Sequence, residues 1–325
     1  MFNIFSWGKK RPPVRLEKNI VVMDLSKAIK GACQEKIYIV LTGGGACGRW
    51  QMGVLAYLEQ IGLLRIIRGI VGTSVGALNG MACAKYVKDF DKALEMWENI
   101  TENGDMFKGK IEGGIGGFMG LVTQLIGNGG KALLKPEGLY KILEVQFGGM
   151  KLCDFEMDVV TTATDLTLNE GETFTKQNDL PCDLLGKMTS AIPVAFPPVI
   201  KDGHIMVDGG WGNNNPVLTA VERGAAKVIV IGTSTKPEGI KGKVGVFEIV
   251  PAMLTYAQEK FESDMYDKIK AVEKNENLSI EMLRVYPDKS TGSVLNFGNV
   301  EQLQEGYEYA REFLTKERLE AFLLS

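Results

Sequence analysis

The sequence predicts an α/β protein with a largely parallel, helix-covered central sheet and a helical C-terminal part. Several short runs of β-branched and aliphatic residues show no polar alternation, which is typical of strands covered on both faces. The first two runs are each followed by a glycine-containing turn and a helix-forming stretch, as expected of βα units. With 325 residues, 45% hydrophobic and 24% charged, the chain can form one large domain of this class.

The first βα unit begins with Ile37–Leu41, a run of aliphatic and aromatic residues that stops at Thr42 and three glycines. This pattern predicts a buried strand entering a tight loop. Residues 49–61 then carry apolar side chains at helical spacing, with Gly62 as the expected C-cap. The apolar positions of this helix are Trp50, Val54, Tyr57, Leu58 and Ile61.

The second unit consists of a strand over residues 66–71, a turn at Gly72 and a helix over residues 75–87. Later apolar runs predict further strands at 159–162, 228–231 and 282–286. From about residue 245 the pattern is mainly helical.

The chain shows no repeat and no linker, and its motifs interleave between residues 43 and 216. We therefore expect an N-terminal extension over 1–35 and a single main domain over 36–325, with its helical part at 245–325. Residues 109–130 combine many glycines with apolar residues on one helical face. They predict either a mobile lid over an apolar site or a segment packed on the core.

Charge and cysteine content exclude several classes of partner. A net charge of −3 and a pI near 5.6 provide no basic field for a phosphate backbone, so nucleic acid is not expected. Five scattered cysteines form neither a CxxC pair nor an even set, which indicates reduced thiols rather than disulfides or zinc ligands. These are Cys33, Cys47, Cys83, Cys153 and Cys182.

The N-terminus and hydropathy predict a cytoplasmic protein. No apolar run reaches the roughly 18 to 20 residues that a bilayer span requires, and the first residues do not resemble a secretory signal. Residues 1–7 are largely apolar and precede Lys9, Lys10 and Arg11, so they could contact an anionic membrane transiently. A flexible or packed terminus is the favoured interpretation. The sequence does not predict an oligomeric state.

The first motif is the run GGGACG from Gly43 to Gly48, which lies between a predicted strand and a predicted helix. It fits the dinucleotide fingerprint, but that site needs an acidic residue roughly 20 positions further on. No acid occurs between Glu59 and Asp89, which argues against a nicotinamide-dependent oxidoreductase. The same loop geometry suits any anion held by backbone N–H groups at a helix N-terminus.

The second motif is GTSVG, from Gly72 to Gly76 with Ser74 at its centre. It has the GxSxG form of a nucleophile elbow, in which flanking glycines permit a strained strand-to-helix turn that exposes the serine oxygen. The alternative is an ordinary glycine-rich turn with Ser74 as helix N-cap. Because residues 60–88 contain no acid, the dipole of the following helix is left to stabilise an alkoxide or oxyanion.

The base for this serine is constrained by a single histidine, His204. If residues 204–208 form a regular strand, His204 and Asp208 lie about 13 Å apart, so both cannot easily serve one serine. Asp208, followed by Gly209 and Gly210, is therefore the candidate base, and an Asp-Gly turn is the alternative. Asp165, which follows another strand, is expected to be structural.

These three motifs, in this order, resemble the signature blocks of the patatin-like phospholipases. The resemblance extends to the phrases TATDL at 162–166, SAIP at 190–193 and FPP at 196–198, and to Asn215-Pro216. It covers about residues 36–235, and the fold that it implies is a three-layer α/β/α sandwich with a largely parallel central sheet.

The resemblance implies a Ser74–Asp208 dyad that hydrolyses acyl esters of phospholipids, lysophospholipids or related lipids, without a metal or cofactor. Backbone N–H groups of the Gly43, Gly44, Gly45 and Ala46 loop would form the oxyanion hole. The supporting glycines of the motifs are Gly48, Gly72, Gly76, Gly209 and Gly210.

One position departs from the family pattern. Family members often carry a basic residue where this chain has Cys47, and the nearest cation is Arg49. The roles of both residues stay open, as do two alternative functions: a thioester-dependent acyltransferase on the same dyad and a catalytically silent lipid-binding protein.

Overall fold

The structure, a computed structural model, describes residues 13, 15–18, 23–109, 132–234, 263–275 and 279–325. Residues 1–7, and all of the predicted lid at 109–130 except Gly109, lie outside this part of the chain.

An eight-stranded sheet forms the centre of the described chain, with strand order β5-β6-β3-β2-β1-β7-β8 and β4 paired to β3. Strands β1, β2, β3, β7 and β8 run parallel, whereas β4, β5 and β6 join by antiparallel pairing. The strands are β1 Ile37–Leu41, β2 Ile67–Thr73, β3 Asp158–Asp165, β4 Glu170–Phe174, β5 Val199–Lys201, β6 His204–Asp208, β7 Lys227–Ile231 and β8 Glu281–Val285.

Helices cover both faces of this sheet. They are α1 Ser26–Ala32, α2 Gly48–Gln60, α3 Val75–Lys85, α4 Asp91–Glu98, α5 Glu137–Phe147, α6 Cys182–Thr189, α7 Gly210–Asn213, α8 Val217–Glu222, α9 over 263–275, α10 Gln302–Phe313 and α11 Lys316–Leu324. None of the described helices is long and apolar enough to cross a membrane.

Side chains of β1 show how the core divides into two layers. Ile37, Ile39 and Leu41 belong to the larger cluster, which contains side chains of α2 to α6, α10 and α11. Tyr38 and Val40 point into a smaller cluster with side chains of α8 and α9. The predicted α/β class with a largely parallel, helix-covered sheet is therefore confirmed.

Strand β3 carries the junction that positions the site. Residues 158–162 pair in parallel with β2, and residues 163–165 pair with β6 in the antiparallel direction. Because β4 pairs with residues 161–165 across both segments, β2 and β6 must share the opposite flank of β3. Their carboxyl ends consequently meet end to end at the step from Thr162 to Ala163.

Two details differ from the sequence prediction. Strand β2 continues to Thr73, because its last two residues still pair with Thr161 and Thr162. The strands β4 and β5 were not predicted, since their residues are mostly exposed or half-buried and carry no apolar run.

Candidate active site

Ser74 occupies a strained turn between β2 and α3. Its backbone has φ 54° and ψ −127°, a region that residues with side chains rarely adopt and that is associated with functional sites. The flanking glycines make the turn possible by close approach: a Cβ on Gly76 would lie 2.3 Å from the Leu41 carbonyl oxygen, and one on Gly72 would lie 2.5 Å from the Ala77 nitrogen. The GTSVG segment therefore has the geometry of a nucleophile elbow.

Asp208 reaches this elbow from the end of β6. The Ser74 hydroxyl donates a hydrogen bond to Oδ2 of Asp208 over 2.6 Å. The backbone N–H of Gly210 donates to Oδ1 of the same carboxylate at 2.7 Å. Both Ser74 and Asp208 are buried.

Burial raises the pKa of Asp208 to about 6, and the hydrogen bonds from Ser74 and Gly210 only partly oppose this effect. A carboxyl group with a pKa near the working pH can accept a proton and return it, as a general base must. Desolvation thus makes Asp208 a stronger base than an exposed aspartate.

Residues at the end of α6 and directly after it bind the backbone N–H groups of both Ser74 and Asp208. Thr189, at the end of α6, accepts the backbone N–H of Ser74 on its hydroxyl at 2.8 Å. Two residues later, the carbonyl of Ala191 accepts the backbone N–H of Asp208 at 3.0 Å. A three-residue span therefore fixes the two functional backbones relative to each other.

His204 lies at the opposite end of β6 and takes part in a different contact. Its Nδ1 is 2.6 Å from Oδ2 of Asp165, which is buried and also accepts backbone N–H groups from Thr167 and Leu168. Burial raises the pKa of Asp165, but the hydrogen bonds outweigh it and the net pKa is lowered. The pair ties the β3–β4 turn to β6.

The glycine-rich loop contains two N–H groups that have no acceptor among the described residues. The N–H of Gly43 is bound by the side-chain oxygen of Asn214 at 3.1 Å, and the N–H of Ala46 is bound by the Val294 carbonyl at 2.8 Å. Within the described chain, no hydrogen-bond acceptor occupies the N–H groups of Gly44 and Gly45. Of the four residues that the sequence predicts for an oxyanion hole, Gly43 and Ala46 therefore have N–H groups that are already bound, whereas those of Gly44 and Gly45 have no acceptor among the described residues.

Arg49 and Cys47, whose roles the sequence leaves open, lie in the interior. The Arg49 guanidinium donates to the carbonyls of Ile100 and Phe297 and lies 5.5 Å from the ring centre of Trp97. Burial lowers its pKa to about 10. Burial also raises the pKa of Cys47, which keeps that thiol protonated rather than nucleophilic.

An apolar cavity extends from Ser74 and Gly45 into the larger core layer. It contains about 590 Å³ of space not occupied by atoms, part of it open to solvent. Its apolar lining comes from α3, α4, α5 and three loops, and includes Leu78, Met96, Trp97, Ile100, Met106, Leu139, Ile142, Leu143, Ile192, Phe196 and Phe297. The carboxylate-bound hydroxyl of Ser74 lies at the edge of this apolar space.

Sequence reasoning missed the polar residues that hold these groups. Thr189 and Asn214 each lie directly beside a phrase that resembles the family, SAIP and NP, but their types alone indicate nothing catalytic. Thr73 and Thr162 form a further buried pair, with their hydroxyl oxygens 2.8 Å apart across β2 and β3. The threonines in the carboxyl-terminal parts of β2 and β3 are the sequence signal that could have indicated Thr73 and Thr162.

Comparison with known proteins finds matches of one family. A family model described as patatin-like phospholipase matches residues 39–221. Lysophospholipase nte1 of Aspergillus terreus is 25% identical over 320 residues, covering 92% of this chain and 19% of that protein. Patatin-like phospholipase domain-containing protein 7 of Mus musculus is 27% identical over 234 residues, covering 70% of this chain and 15% of that protein. The chain thus spans about a fifth or less of the length of these curated relatives.

Solved structures that match this chain include VipD from Legionella pneumophila, with a TM-score of 0.45 and 15% identity, covering 89% of this chain and 67% of that chain. Human GIVD cytosolic phospholipase A2 has a TM-score of 0.49 and 12% identity, covering 92% of this chain and 63% of that chain.

Proposed function

The chain belongs to the patatin-like phospholipase family, and we propose that it is a serine hydrolase that cleaves fatty acyl esters of phospholipids or lysophospholipids. The observation that carries the proposal is the 2.6 Å hydrogen bond from the Ser74 hydroxyl to Asp208 beside an apolar cavity. A hydroxyl bound to a carboxylate provides a nucleophile and its base. An apolar cavity next to that hydroxyl provides room for a fatty acyl chain.

In the first half of the reaction, Asp208 accepts the Ser74 proton while the serine oxygen attacks the acyl carbonyl carbon. The carbonyl electron pair moves to its oxygen and forms a tetrahedral oxyanion. Collapse of this intermediate breaks the ester bond, and the departing alcohol oxygen takes the proton back from Asp208. The product is an acyl-serine at Ser74.

In the second half, water gives a proton to Asp208 and attacks the acyl-serine carbonyl. The second tetrahedral intermediate releases the fatty acid, and the proton returns from Asp208 to the Ser74 oxygen. Ser74 and Asp208 are then in their starting protonation states. The two side chains therefore suffice for all the proton transfers of the cycle.

The oxyanion in each half requires hydrogen-bond donors that are already oriented. The N–H groups of Gly44 and Gly45 are suited to this because they have no acceptor among the described residues and Gly45 lines the cavity. The N-terminus of α3, which begins at Val75 directly after the nucleophile, adds a favourable dipole.

The substrate class follows from the cavity and from the relatives. Side chains along the cavity are almost all aliphatic or aromatic, and such a lining holds an acyl chain through burial of apolar surface. The curated relatives are described as lysophospholipases and a patatin-like phospholipase domain protein. We extend that substrate class to this chain, with transient contact to a lipid surface during substrate uptake.

The test compares three variants, Ser74→Ala, Asp208→Asn and His204→Ala, on a chromogenic acyl ester and on lysophospholipid. We expect the first two to lose turnover by at least a thousandfold and His204→Ala to keep most of it, because His204 contacts Asp165 instead of Ser74. A fluorophosphonate probe should label the wild type and His204→Ala but not Ser74→Ala.

Each other outcome has a distinct meaning. Hydrolysis that persists in Ser74→Ala contradicts the serine mechanism, and loss of turnover in His204→Ala contradicts the dyad. Absence of both labelling and hydrolysis in the wild type would favour a silent lipid-binding protein. Acyl transfer from a thioester to an added alcohol, with little hydrolysis, would favour the acyltransferase.

A further inference from the structure

The N–H groups of Gly44 and Gly45, which have no acceptor among the described residues, belong to peptide units whose carbonyls each accept a hydrogen bond. A trans peptide is planar, and its C=O and N–H bonds point in opposite directions. The direction of the Gly44 N–H bond is therefore set by the hydrogen-bond donor that binds the Gly43 carbonyl. The direction of the Gly45 N–H is set in the same way by the Gly44 carbonyl, which accepts the N–H of Cys47 at 3.1 Å.

Thr233 is the residue that binds the Gly43 carbonyl. It follows β7 by two positions, is buried, and donates its hydroxyl to that carbonyl over 2.6 Å. A hydroxyl has one proton to donate, so the neighbouring Thr42 hydroxyl, 3.4 Å away, can only donate to Thr233 and not receive from it. The Thr233 proton is thus committed to the Gly43 carbonyl.

The side chain of Thr233 also fills the space beside Gly44. A Cβ on Gly44 would lie 2.2 Å from Oγ1 of Thr233 and 2.5 Å from its Cβ. A Cβ on Gly43 would lie 2.4 Å from Oδ1 of Asn214 and 3.1 Å from the Ser74 Cβ. The Gly43–Gly44 peptide is therefore confined between Thr233 and the elbow, and its N–H faces away from Thr233.

We propose that Thr233 is a positioning residue for catalysis: by donating to the Gly43 carbonyl, it aims the Gly44 N–H at the oxyanion that forms at Ser74. This inference rests on the proposed hydrolase function and deepens it. Thr233 lies beyond residues 39–221, to which the family model matches. It touches neither substrate nor the reacting atoms and acts only through the orientation of one peptide.

Removal of the hydroxyl leaves the Gly43 carbonyl without its donor, so that packing alone limits the tilt of this glycine-flanked peptide. The Gly44 N–H would no longer point at the oxyanion. Because loss of one oxyanion donor lowers kcat by about 100- to 1000-fold, a misaimed donor should lower it by about 10- to 100-fold. KM should change little, since the donor acts on charge that develops only in the transition state.

The experiment uses the full chain with Thr233→Val, which keeps the shape and removes the hydroxyl, and Thr233→Ser, which keeps the hydroxyl. Thr291→Val is the matched control, because the Thr291 hydroxyl also donates to a buried carbonyl, that of Thr233, over 2.6 Å. Steady-state hydrolysis of the acyl ester gives kcat and KM. The inactivation rate with a fluorophosphonate reports the tetrahedral adduct, and affinity for a non-cleavable ether lipid reports ground-state binding.

We expect Thr233→Val to lose about 10- to 100-fold in kcat and in fluorophosphonate inactivation, with ether-lipid affinity within about twofold of wild type. Thr233→Ser and Thr291→Val should stay within about threefold of wild type in kcat. If Thr233→Val folds poorly, Thr233→Ala also lacks the hydroxyl, needs less room and serves the same comparison.

Several results would overturn the inference. One is a Thr233→Val kcat close to wild type, and another is an equal loss in Thr233→Ser. A loss confined to KM or to ether-lipid affinity would assign Thr233 to substrate binding instead. All of these leave the proposed function intact as long as Ser74→Ala is inactive, whereas an active Ser74→Ala removes the proposed function itself.

Discussion

Asp208→Asn should inactivate the protein and stabilise it at the same time. Burial raises the pKa of Asp208 from 3.8 to about 6, and a difference of one in pKa corresponds to about 1.4 kcal/mol. The ionised carboxylate therefore costs the folded state on the order of 3 kcal/mol at pH 8. Asparagine is nearly the same size and carries no charge, so the substitution removes this cost together with the base.

The hydrogen bonds of the site can accommodate the amide. Its oxygen can accept the Gly210 N–H that now reaches Oδ1 of Asp208, and its NH₂ group can donate to the Ser74 oxygen, because a hydroxyl also accepts. The stability gain should therefore approach the net cost of about 3 kcal/mol.

The sign of the effect depends on pH in a defined way. Because the folded-state pKa of Asp208 is raised, folding favours its protonated form, and no cost exists below about pH 3.8, where both states are protonated. The cost grows as pH rises through about 6 and is complete above about pH 7. Asp208→Asn should consequently match the wild type at pH 4 and exceed it most at pH 8.

The assay is urea unfolding of both proteins at pH 4 and pH 8, beside ester hydrolysis at pH 8. Asp165→Asn is a control of opposite sign, because hydrogen bonds lower the net pKa of Asp165 and its charge stabilises the fold above its unfolded pKa. That variant should lose stability at pH 8 and retain turnover. Unchanged stability of Asp208→Asn at pH 8, or a gain of equal size at pH 4, would refute the reasoning.

Three further predictions concern pH, strain and substrate length. In the wild type, kcat/KM should rise about tenfold per pH unit up to about pH 6 and level off above pH 7, since Asp208 must be ionised; a profile flat down to pH 4.5 would exclude Asp208 as the base. Val194 is an exposed β-branched residue at φ 71°, so Val194→Gly should stabilise the fold by about 1 kcal/mol in urea unfolding, whereas Asn169→Gly at φ 59° should change little because asparagine tolerates this region. Ile142→Trp fills part of the cavity and should lower kcat/KM for palmitoyl relative to butyryl esters by about tenfold, while Val145→Trp, on the exposed side of the same helix, should leave that ratio unchanged.

The strands of the parallel sheet could be predicted from the sequence because burial on both faces demands continuous apolar runs. Ile37–Leu41 is buried along its whole length and was predicted with its observed bounds. The strand β4 could not be predicted in this way, because four of its five residues are not buried and its place depends on pairing with β3.

The candidate site shows the same division between local and long-range information. Ser74 and Asp208 each sit in a short motif with glycines that the local backbone requires, and the lone His204 directs attention to a carboxylate base. The 2.6 Å contact between the two residues joins positions 134 apart in sequence. Nothing in either motif specifies that distance, nor the supporting hydroxyls of Thr189 and Thr233, whose partners come from other elements.

Because β2 and β6 meet end to end along β3, the distance between Ser74 and Asp208 depends on the pairing register of this one strand. Thr73 pairs with Thr162, and Asp208 pairs with the next residue, Ala163. Loops elsewhere could lengthen over evolutionary time without separating Ser74 from Asp208. A single residue inserted between Thr162 and Ala163 would shift one strand by about 3.3 Å and turn its side chains to the other face. The two functional groups are thus remote along the chain but tolerate no insertion at one peptide bond of β3.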